Sequence, residues 1–386
     1  MRSQESGKDT GEGMKQKRKQ IIAVVLAVVL VGTLLLIGLG DRSIQAKGTV
    51  PNLSAAQKEN SYAAYRERYA PISAGFRRTW NAAEQVTGDA AWRVDSDAEG
   101  RYVYLPDEGS VTWTVEVGQA GRYELWLTYC PAEGNSGDIQ RTLLVNGSLP
   151  YEEASGLRFR RTWVNKGDVQ QDLYGNDIRP LQVEESRWET ACCRDSEGYV
   201  TEPLTVYLEQ GQNTLTLTAE REPMLLRQLT LQSPTVLRSY EQVRAEYEAK
   251  GYTEAAGVLQ QIEGEAARYK SSPTLYPLSD TSTCATEPYV PSVIKLNTIG
   301  GTRWSYVGDY LEWSFEVPQS GLYQIAVKAR QNVTSGLVSS RRVLIDGSVP
   351  FAEMDSISFF YDSDWQSVVL GSGEEPYRFY LEAGTH

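Results

Sequence analysis

Histidine is almost missing from this chain: one residue in 386, at position 386. That scarcity removes His-based catalytic triads, His general bases and His-ligated metal centres. Basic residues are also short, 38 Lys and Arg against 50 Asp and Glu, for a net charge of −12. Nucleic acid is therefore excluded as a partner, because its phosphates demand clustered Lys and Arg. Cysteine is sparse, at Cys130, Cys192, Cys193 and Cys284, and no C-x-x-C spacing occurs. Zinc and thioredoxin-like chemistry thus lack their residues. Adjacent Cys192 and Cys193 point to opposite faces of any strand, so the four read as small buried hydrophobes; a bridge from Cys130 to Cys192 or Cys193 is the lesser alternative. Ser and Lys nucleophile motifs, Gly-rich phosphate loops and EF-hand spacing are absent. The chain is not read as an enzyme.

Long apolar runs are absent but for one, Ile21 to Leu39, which is apolar except for one Thr and two Gly. At about 1.5 Å per residue it spans a bilayer core. Lys15, Lys17, Arg18 and Lys19 precede it, which places residues 1–20 in the cytoplasm and the bulk of the chain outside, as a single-pass cell-membrane protein. The rival reading is a signal peptide starting at Met14 and cut after Ala46. No Cys follows the run to carry a lipid. Residues 41–74 read as a membrane-proximal spacer, helical over the Ala- and charge-rich stretch 55–69 and ending before Pro71.

What the chain has in abundance is short alternating strands, and it writes one group of them twice. Val111, Trp113, Val115 and Val117 put large apolar side chains on every second position, hence on one strand face. Leu311, Trp313, Phe315 and Val317 repeat them at a constant offset of 200 residues. The same offset relates Gly121 to Gly321, Tyr123 to Tyr323, Arg141 to Arg341 and Pro150 to Pro350. Asn146-Gly147 and Asp346-Gly347 are tight-turn dipeptides after short apolar runs. A repeat this long and this widely spaced signals two copies of one domain. Trp113 and Trp313 are expected in the cores.

The expected fold class is all-β: two tandem jelly-roll-type antiparallel β-sandwiches behind the transmembrane helix. The first occupies residues 75–235 and the second 258–386. Residues 236–257, with high helix propensity and Gly251 as a stop, form a helical connector. The second copy is incomplete. Pro203, Tyr207, Glu209 and Gly211 find counterparts in Pro376, Tyr380, Glu382 and Gly384, but Thr214–Ala219 and Leu225–Gln232 find none. The expectation is a chain that is a fragment of a longer one, with the closing strands encoded after His386, since open apolar edges are an aggregation hazard.

The first copy carries an insertion, roughly Gln171 to Cys192, rich in Asp, Arg, Tyr and Trp. A long loop in a compact domain invites a functional reading. Outside the alternating strands, Trp163, Tyr174, Trp188, Trp304, Tyr306, Trp365 and Tyr377 sit beside Gly, Asp, Asn and Arg. An aromatic face stacks on the C–H face of a pyranose while Asp, Asn and Arg bond its hydroxyls, so a carbohydrate ligand is expected; packing between sandwich and connector is the alternative. Trp163, Tyr174, Asp177, Arg179, Trp188 and Trp365 are the candidate contacts. Carboxylate pairs such as Glu152-Glu153 and Glu184-Glu185 would suit a glycosidase, but with 50 acidic residues they read as solvated surface. No cofactor is expected; Glu263 and Glu265 offer oxygens for a structural calcium, against the plainer reading of an exposed strand.

Several segments carry a resemblance. The unit of Trp313, VPQSGLY and a later DG resembles carbohydrate-binding modules with a galactose-binding-like jelly roll. GNDIRPLQVE, DSEGYVTEPLTVYL, REPM, YKSSPTLYPLSD, EPYVPSVIKLNTIGG, SSRRVLIDGSVPFAEM and EPYRFYLEAG resemble the N-terminal region of bacterial extracellular solute-binding proteins of sugar ABC transporters. The likeness spans residues 75–386. It implies tandem sandwiches preceding a solute-capturing domain that serves an ABC permease, and it draws attention to Asp177, Arg179 and Trp188. It fixes no ligand residue. A cell-surface spacer or protein-interaction module, and the accessory region of a glycoside hydrolase, are the competing functional classes.

Overall fold

The computed structural model describes residues 60–333, 335–373 and 375–386. The expected anchor at 21–39, its cytoplasmic tail and the signal-peptide alternative lie outside the described residues. Among the described residues no helix is long and apolar enough to cross a membrane.

The first repeat opens with a short helix, α1 (Tyr62–Arg68), capped by the Ser61 hydroxyl. Sixteen strands follow: β1 (Arg77–Asn81), β2 (Val86–Gly88), β3 (Arg93–Asp97), β4 (Gly100–Leu105), β5 (Ser110–Val117), β6 (Gly121–Pro131), β7 (Ile139–Val145), β8 (Leu157–Phe159), β9 (Trp163–Asn165), β10 (Gln170–Gln171), β11 (Asp177–Ile178), β12 (Gln182–Glu184), β13 (Glu189–Cys192), β14 (Thr205–Leu208), β15 (Gly211–Arg221) and β16 (Met224–Gln232). One sheet runs β13-β6-β16-β4-β3, with β1 also on β16 and β14 also on β6; the other runs β2-β5-β15-β7-β8. The late strands β15 and β16 are therefore central, each hydrogen-bonded on both sides. Alternation decides what lies between the sheets. Val111, Trp113, Val115 and Val117 are at most 2% exposed, and Tyr123, Leu125, Leu127 and Tyr129 at most 1%. Leu215, Leu226, Leu229 and Leu231 close the core from the central strands. Each such side chain contributes about 2 kcal/mol of burial.

The second repeat opens with α2 (Tyr240–Lys250). Ser239 and Gln242 form its capping box, and Gly251 ends it with φ 69°, as expected of that glycine. This helix docks on the second repeat in the way α1 docks on the first. Tyr62 N–H donates to Glu153 at 2.9 Å, and Tyr240 N–H donates to the Glu353 carboxylate at 2.9 and 3.1 Å. A parallel bridge follows each helix, Pro71 with Arg122 and Glu254 with Leu322. The connector is thus also the first element of its own repeat.

Fourteen short strands follow: β17 (Tyr269–Lys270), β18 (Pro277–Leu278), β19 (Thr298–Ile299), β20 (Leu311–Glu312), β21 (Glu316–Val317), β22 (Gly321–Tyr323), β23 (Ala326–Ala329), β24 (Val338–Arg341), β25 (Ile357–Phe360), β26 (Gln366–Val369), β27 (Gly371–Ser372), β28 (Glu375–Pro376), β29 (Phe379–Leu381) and β30 (Gly384–Thr385). Most join only in pairs: β18-β19, β21-β30, β22-β29, β23-β26, β24-β25 and β27-β28. The local geometry nevertheless copies the first repeat. Trp113 Nε1 donates to Ala82 O at 2.7 Å and Trp313 Nε1 to Gly264 O at 3.0 Å. The hydroxyls of Tyr123 and Tyr323 donate to Gln119 O and Gln319 O, at 2.5 and 2.6 Å. The predicted turns are realised at Asn146-Gly147 and Asp346-Gly347, where φ is 51° and 76°, then 51° and 75°. Both central positions of a type I′ turn need φ > 0, which Asn, Asp and Gly accept best.

All four cysteines are free, so the alternative of a bridge from Cys130 is not realised. The register explains it: Cys192 lies opposite Trp126 on β6, and Cys130 opposite Leu225 on β16. Burial pushes the Cys130 thiol up to about 11 and raises Cys192 and Cys193 as well, which makes them packing groups and poor nucleophiles.

Candidate functional site

Between β8 and β13 the first repeat departs from the second. Phe159 and Phe359 still match at an offset of 200, whereas Cys192, paired with Trp126, matches Val369, paired with Ala326, at 177. The extra residues lie before β13, so the insertion starts earlier than the Gln171 boundary read from sequence. It forms β9 to β12 and faces the second repeat. Strand β9 is flanked by β12 on one side and by β17 on the other, giving a sheet β12-β9-β17-β20 that runs from one repeat into the other.

Polar contacts reinforce that seam. Arg187 grips both carboxylate oxygens of Glu312, at 2.8 and 3.3 Å, donates to Glu189 at 2.8 Å, and lies 4.0 Å over the Tyr269 ring. Tyr310 shares a 2.8 Å bond with Thr162. Arg160 bonds Asp138 at 2.7 Å and lies 3.5 Å from Asp309. Asp177 accepts from Lys295 at 2.9 Å and from Leu296 N–H at 3.0 Å. Burial alone would raise the Asp177 carboxyl, but Leu296, Lys295 and Gln171 hold it below its usual value.

Between the insertion and the second repeat lies a cleft of about 350 Å³, lined by Asn165, Gly167, Asp168, Val169, Gln171 and Asp177 from one side and by Glu265, Ala266, Pro277 and Leu296 from the other. Its chemistry is mixed: amides and carboxyls beside Val169, Pro277 and Leu296. Burial, reinforced by Glu263, pushes Glu265 up to about 7 against the pull of a backbone N–H. A carboxyl protonated near neutrality donates as well as accepts.

The six candidate contacts do not converge. Asp177 lines the cleft. Tyr174, two residues from Asn176 in the same loop, is 83% exposed. Arg179 is spent on the Tyr276 ring, 4.0 Å from its centroid. Trp163 is only 8% exposed and opposes Glu184 and Lys270 within the seam sheet. Its loop-like sequence surroundings were misleading, because the residues beside it form a strand buried by the second repeat. Trp188 lies on the outer face of the first sandwich, with the Arg227 guanidinium 3.7 Å over its ring and Nε1 donating to Asp97 at 3.1 Å. Trp365 donates to Asp280 at 3.0 Å under Arg330. Among the other aromatics, Tyr377 is buried against Tyr240 and Phe351, while Trp304 donates to Asp309 O and carries Arg341 on its ring.

Gln171, Asn165 and Asp168 are the cleft groups that sequence reasoning passed over. Nothing local marks them, since the facing wall comes from residues about 100 positions later. Glu263 and Glu265 do not form an exposed strand: residues Gly264–Ala266 are a 3-10 turn. No group of three or more His, Cys, Asp or Glu placed to hold a metal occurs among the described residues.

No family model matches the chain, and no curated protein matches it. Solved structures do. A family 35 carbohydrate binding module from Clostridium thermocellum is 16% identical, with a TM-score of 0.27 over 41% of this chain and 98% of that one. A CBM35 from Paenibacillus barcinonensis is 14% identical, with a TM-score of 0.22 over 40% and 97%. A GH26-CBM35 β-(1,4)-mannanase from Podospora anserina is 15% identical, with a TM-score of 0.24 over 42% and 28%.

Proposed function

We propose that this chain is a non-catalytic, extracytoplasmic carbohydrate-binding protein whose ligand site is the cleft between the insertion and the second repeat. The observation that supports it is the lining itself. Asn165, Asp168, Gln171 and Glu265 offer donors and acceptors suited to hydroxyls, and Val169, Pro277 and Leu296 offer apolar surface suited to ring C–H groups. At about 350 Å³ the cleft falls in the size range of small-molecule sites. Glycan-array screening followed by calorimetry on the full chain tests this. Binding is expected to weaken at least tenfold in a Gln171→Ala, Asp168→Ala double variant and to persist in Trp188→Ala. Equal loss in both variants, or no glycan bound at all, refutes the assignment.

The finer parts of the reading are anchorage through residues 21–39 and service to a sugar ABC permease as the front part of a solute-binding protein. The apolar run supports the first and the segment resemblance the second. Resistance to alkaline extraction from membranes tests the anchor; co-purification with a permease tests the transport role.

A second reading is favoured by the seam. Arg187, Arg160 and Asp177 tie the two repeats together, as suits a stiff spacer that holds another domain or a partner away from the membrane. It predicts no glycan binding on any array and no effect of the cleft variants.

A further inference from the structure

The chain's only histidine stands where the first repeat has an asparagine, and the residue it pairs with has changed too. In the first repeat Asn146, in its tight turn, and Asn213 on β15 are joined amide to amide. Asn146 Nδ2 donates to Asn213 Oδ1 at 3.0 Å, and Asn213 Nδ2 donates to Glu209 O at 2.8 Å. In the second repeat Asp346 replaces Asn146, and His386 replaces Asn213 in the alignment that matches Glu209 with Glu382 and Gly211 with Gly384. The backbone register is copied: Asn213 lies opposite Val115, and His386 and Phe315 exchange backbone hydrogen bonds at 2.9 Å. The side-chain contacts are copied as well. His386 Nδ1 lies 2.8 Å from Asp346 Oδ2, and Nε2 lies 2.8 Å from Glu382 O. Asn213 makes its two contacts in the middle of a long strand, so the arrangement belongs to the repeat and not to the place of His386 in the chain.

The two versions differ in what they do with protons. An amide offers donors and an acceptor at every pH, whereas a neutral imidazole has one N–H and one lone pair. Both nitrogens of His386 face oxygens that only accept, a carboxylate and a carbonyl. Both contacts hold together only when both nitrogens carry a proton; once the ring is neutral, one lone pair faces an oxygen and that contact is given up. The charges around the ring favour the imidazolium: Asp346, Glu382, and on β21 Glu316, which accepts from the neighbouring Thr385 hydroxyl. The Phe315 ring lies 6.0 Å away. The Glu382 carbonyl raises the pKa of His386 above its ordinary 6.5; burial opposes this, and Asp346 adds to it.

We infer that His386 and Asp346 form a proton-dependent latch in the second repeat, tying the Asp346-Gly347 turn to the Glu382–Gly384 turn, where the first repeat has a latch that no proton controls. The sign follows from the raised pKa. The latch contributes fully below the ordinary histidine value and is lost as pH climbs through the raised one. The inference is independent of the carbohydrate reading.

Because the chain has one histidine, a proton–carbon NMR titration of imidazole signals on the full chain reads this ring alone. A midpoint above 6.5 is expected. Asp346→Asn is expected to lower it by about half a pH unit, a modest change because the carboxylate is partly solvated. Amide signals of residues 346–348 and 382–385 are expected to shift with the ring's midpoint, and those of 146–148 and 209–213 to stay in place. The double variant Asp346→Asn, His386→Asn installs the first repeat's pair. It is expected to keep the fold, with the second-repeat turn signals flat between pH 5 and 8. Four outcomes overturn the inference: a midpoint at or below 6.5, a midpoint that Asp346→Asn leaves unchanged, turn amides that ignore the ring's titration, or a double variant whose turns still titrate near neutrality.

Discussion

The two repeats share a turn, a tyrosine, a tryptophan hydrogen bond and a docked helix, yet one has a closed core and the other does not. Trp113 is 1% exposed and Trp313 half-buried, although each donates its indole N–H to the same kind of carbonyl. In the first repeat the covering is done by two strands, β15 and β16. Where β15 and β16 are present, every core strand is paired on both sides and its apolar face is covered. In the second repeat the same alternation leaves Leu311, Trp313, Phe315, Val343 and Ile345 half-buried. Local pattern therefore sets strand and turn, and the burial that gives a strand its stability comes from neighbours remote in sequence.

The comparison can be broken most sharply at the tryptophans. Trp113→Ala is expected to cost about 3–5 kcal/mol, the range for a large aromatic in a filled core, and Trp313→Ala about 1 kcal/mol, since much of its surface already meets water. Urea melts of the full chain followed by circular dichroism measure both, and equal costs would remove the distinction. Next is the pair Arg161 and Tyr361. Arg161 is buried with Glu222 at 2.9 Å and donates to Ala132 O at 3.0 Å and Gly137 O at 2.7 Å, whereas Tyr361 is 42% exposed. Arg161→Ala, which strands the buried Glu222, is expected to cost about 3–5 kcal/mol. Tyr361→Ala is expected to stay within about 0.5 kcal/mol.

Two smaller effects sharpen the seam. Lys270 is fully buried, its Nζ finds no hydrogen-bond partner, and burial pulls it from 10.5 down to about 8. The folded state thus holds fewer protons than the unfolded one between pH 8 and 10.5. Stability rises with pH through that window and is reduced below it. Lys270→Met is expected to add about 1–3 kcal/mol at pH 7 and to flatten the alkaline rise; thermal melts at pH 7 and 10 report both. Glu265 has the opposite sign. Its pKa rises from 4.5 to about 7, so its contribution is full below pH 4.5 and fades as pH climbs through 7. Glu265→Gln is expected to remove that decline, about 1 kcal/mol after solvent screening, and thermal melts at pH 5 and 8 report it.

Much of the scaffold was legible because its signals are local. Period-two alternation marked β5, the Asn-Gly and Asp-Gly pairs marked two tight turns, and Gly251 marked a helix end. The site was far less legible. Trp163, Trp188, Trp365 and Arg179 were marked by aromatic and basic character beside turn residues, a signature that a sugar platform shares with cation-π and indole–carboxylate pairs. Which use applies depends on whether Lys270, Arg227, Asp280 or Tyr276 is nearby, and each lies between 39 and 107 residues away in the chain. The insertion was visible as an excess of residues, but its docking against Glu312, Lys295 and Tyr310 was not.

By itself the sequence determined that this chain carries two copies of one antiparallel β unit, and where most turns fall. Periodicity and turn chemistry act over a few residues, so they survive without any three-dimensional context. Only the tertiary structure decided that the late strands β15 and β16 are the central ones of the first repeat, that the insertion clasps the second repeat, and that a polar cleft opens beside it. Those facts depend on strand order and on faces meeting across a hundred or more residues, where burial and hydrogen-bond satisfaction, rather than local preference, choose the partners.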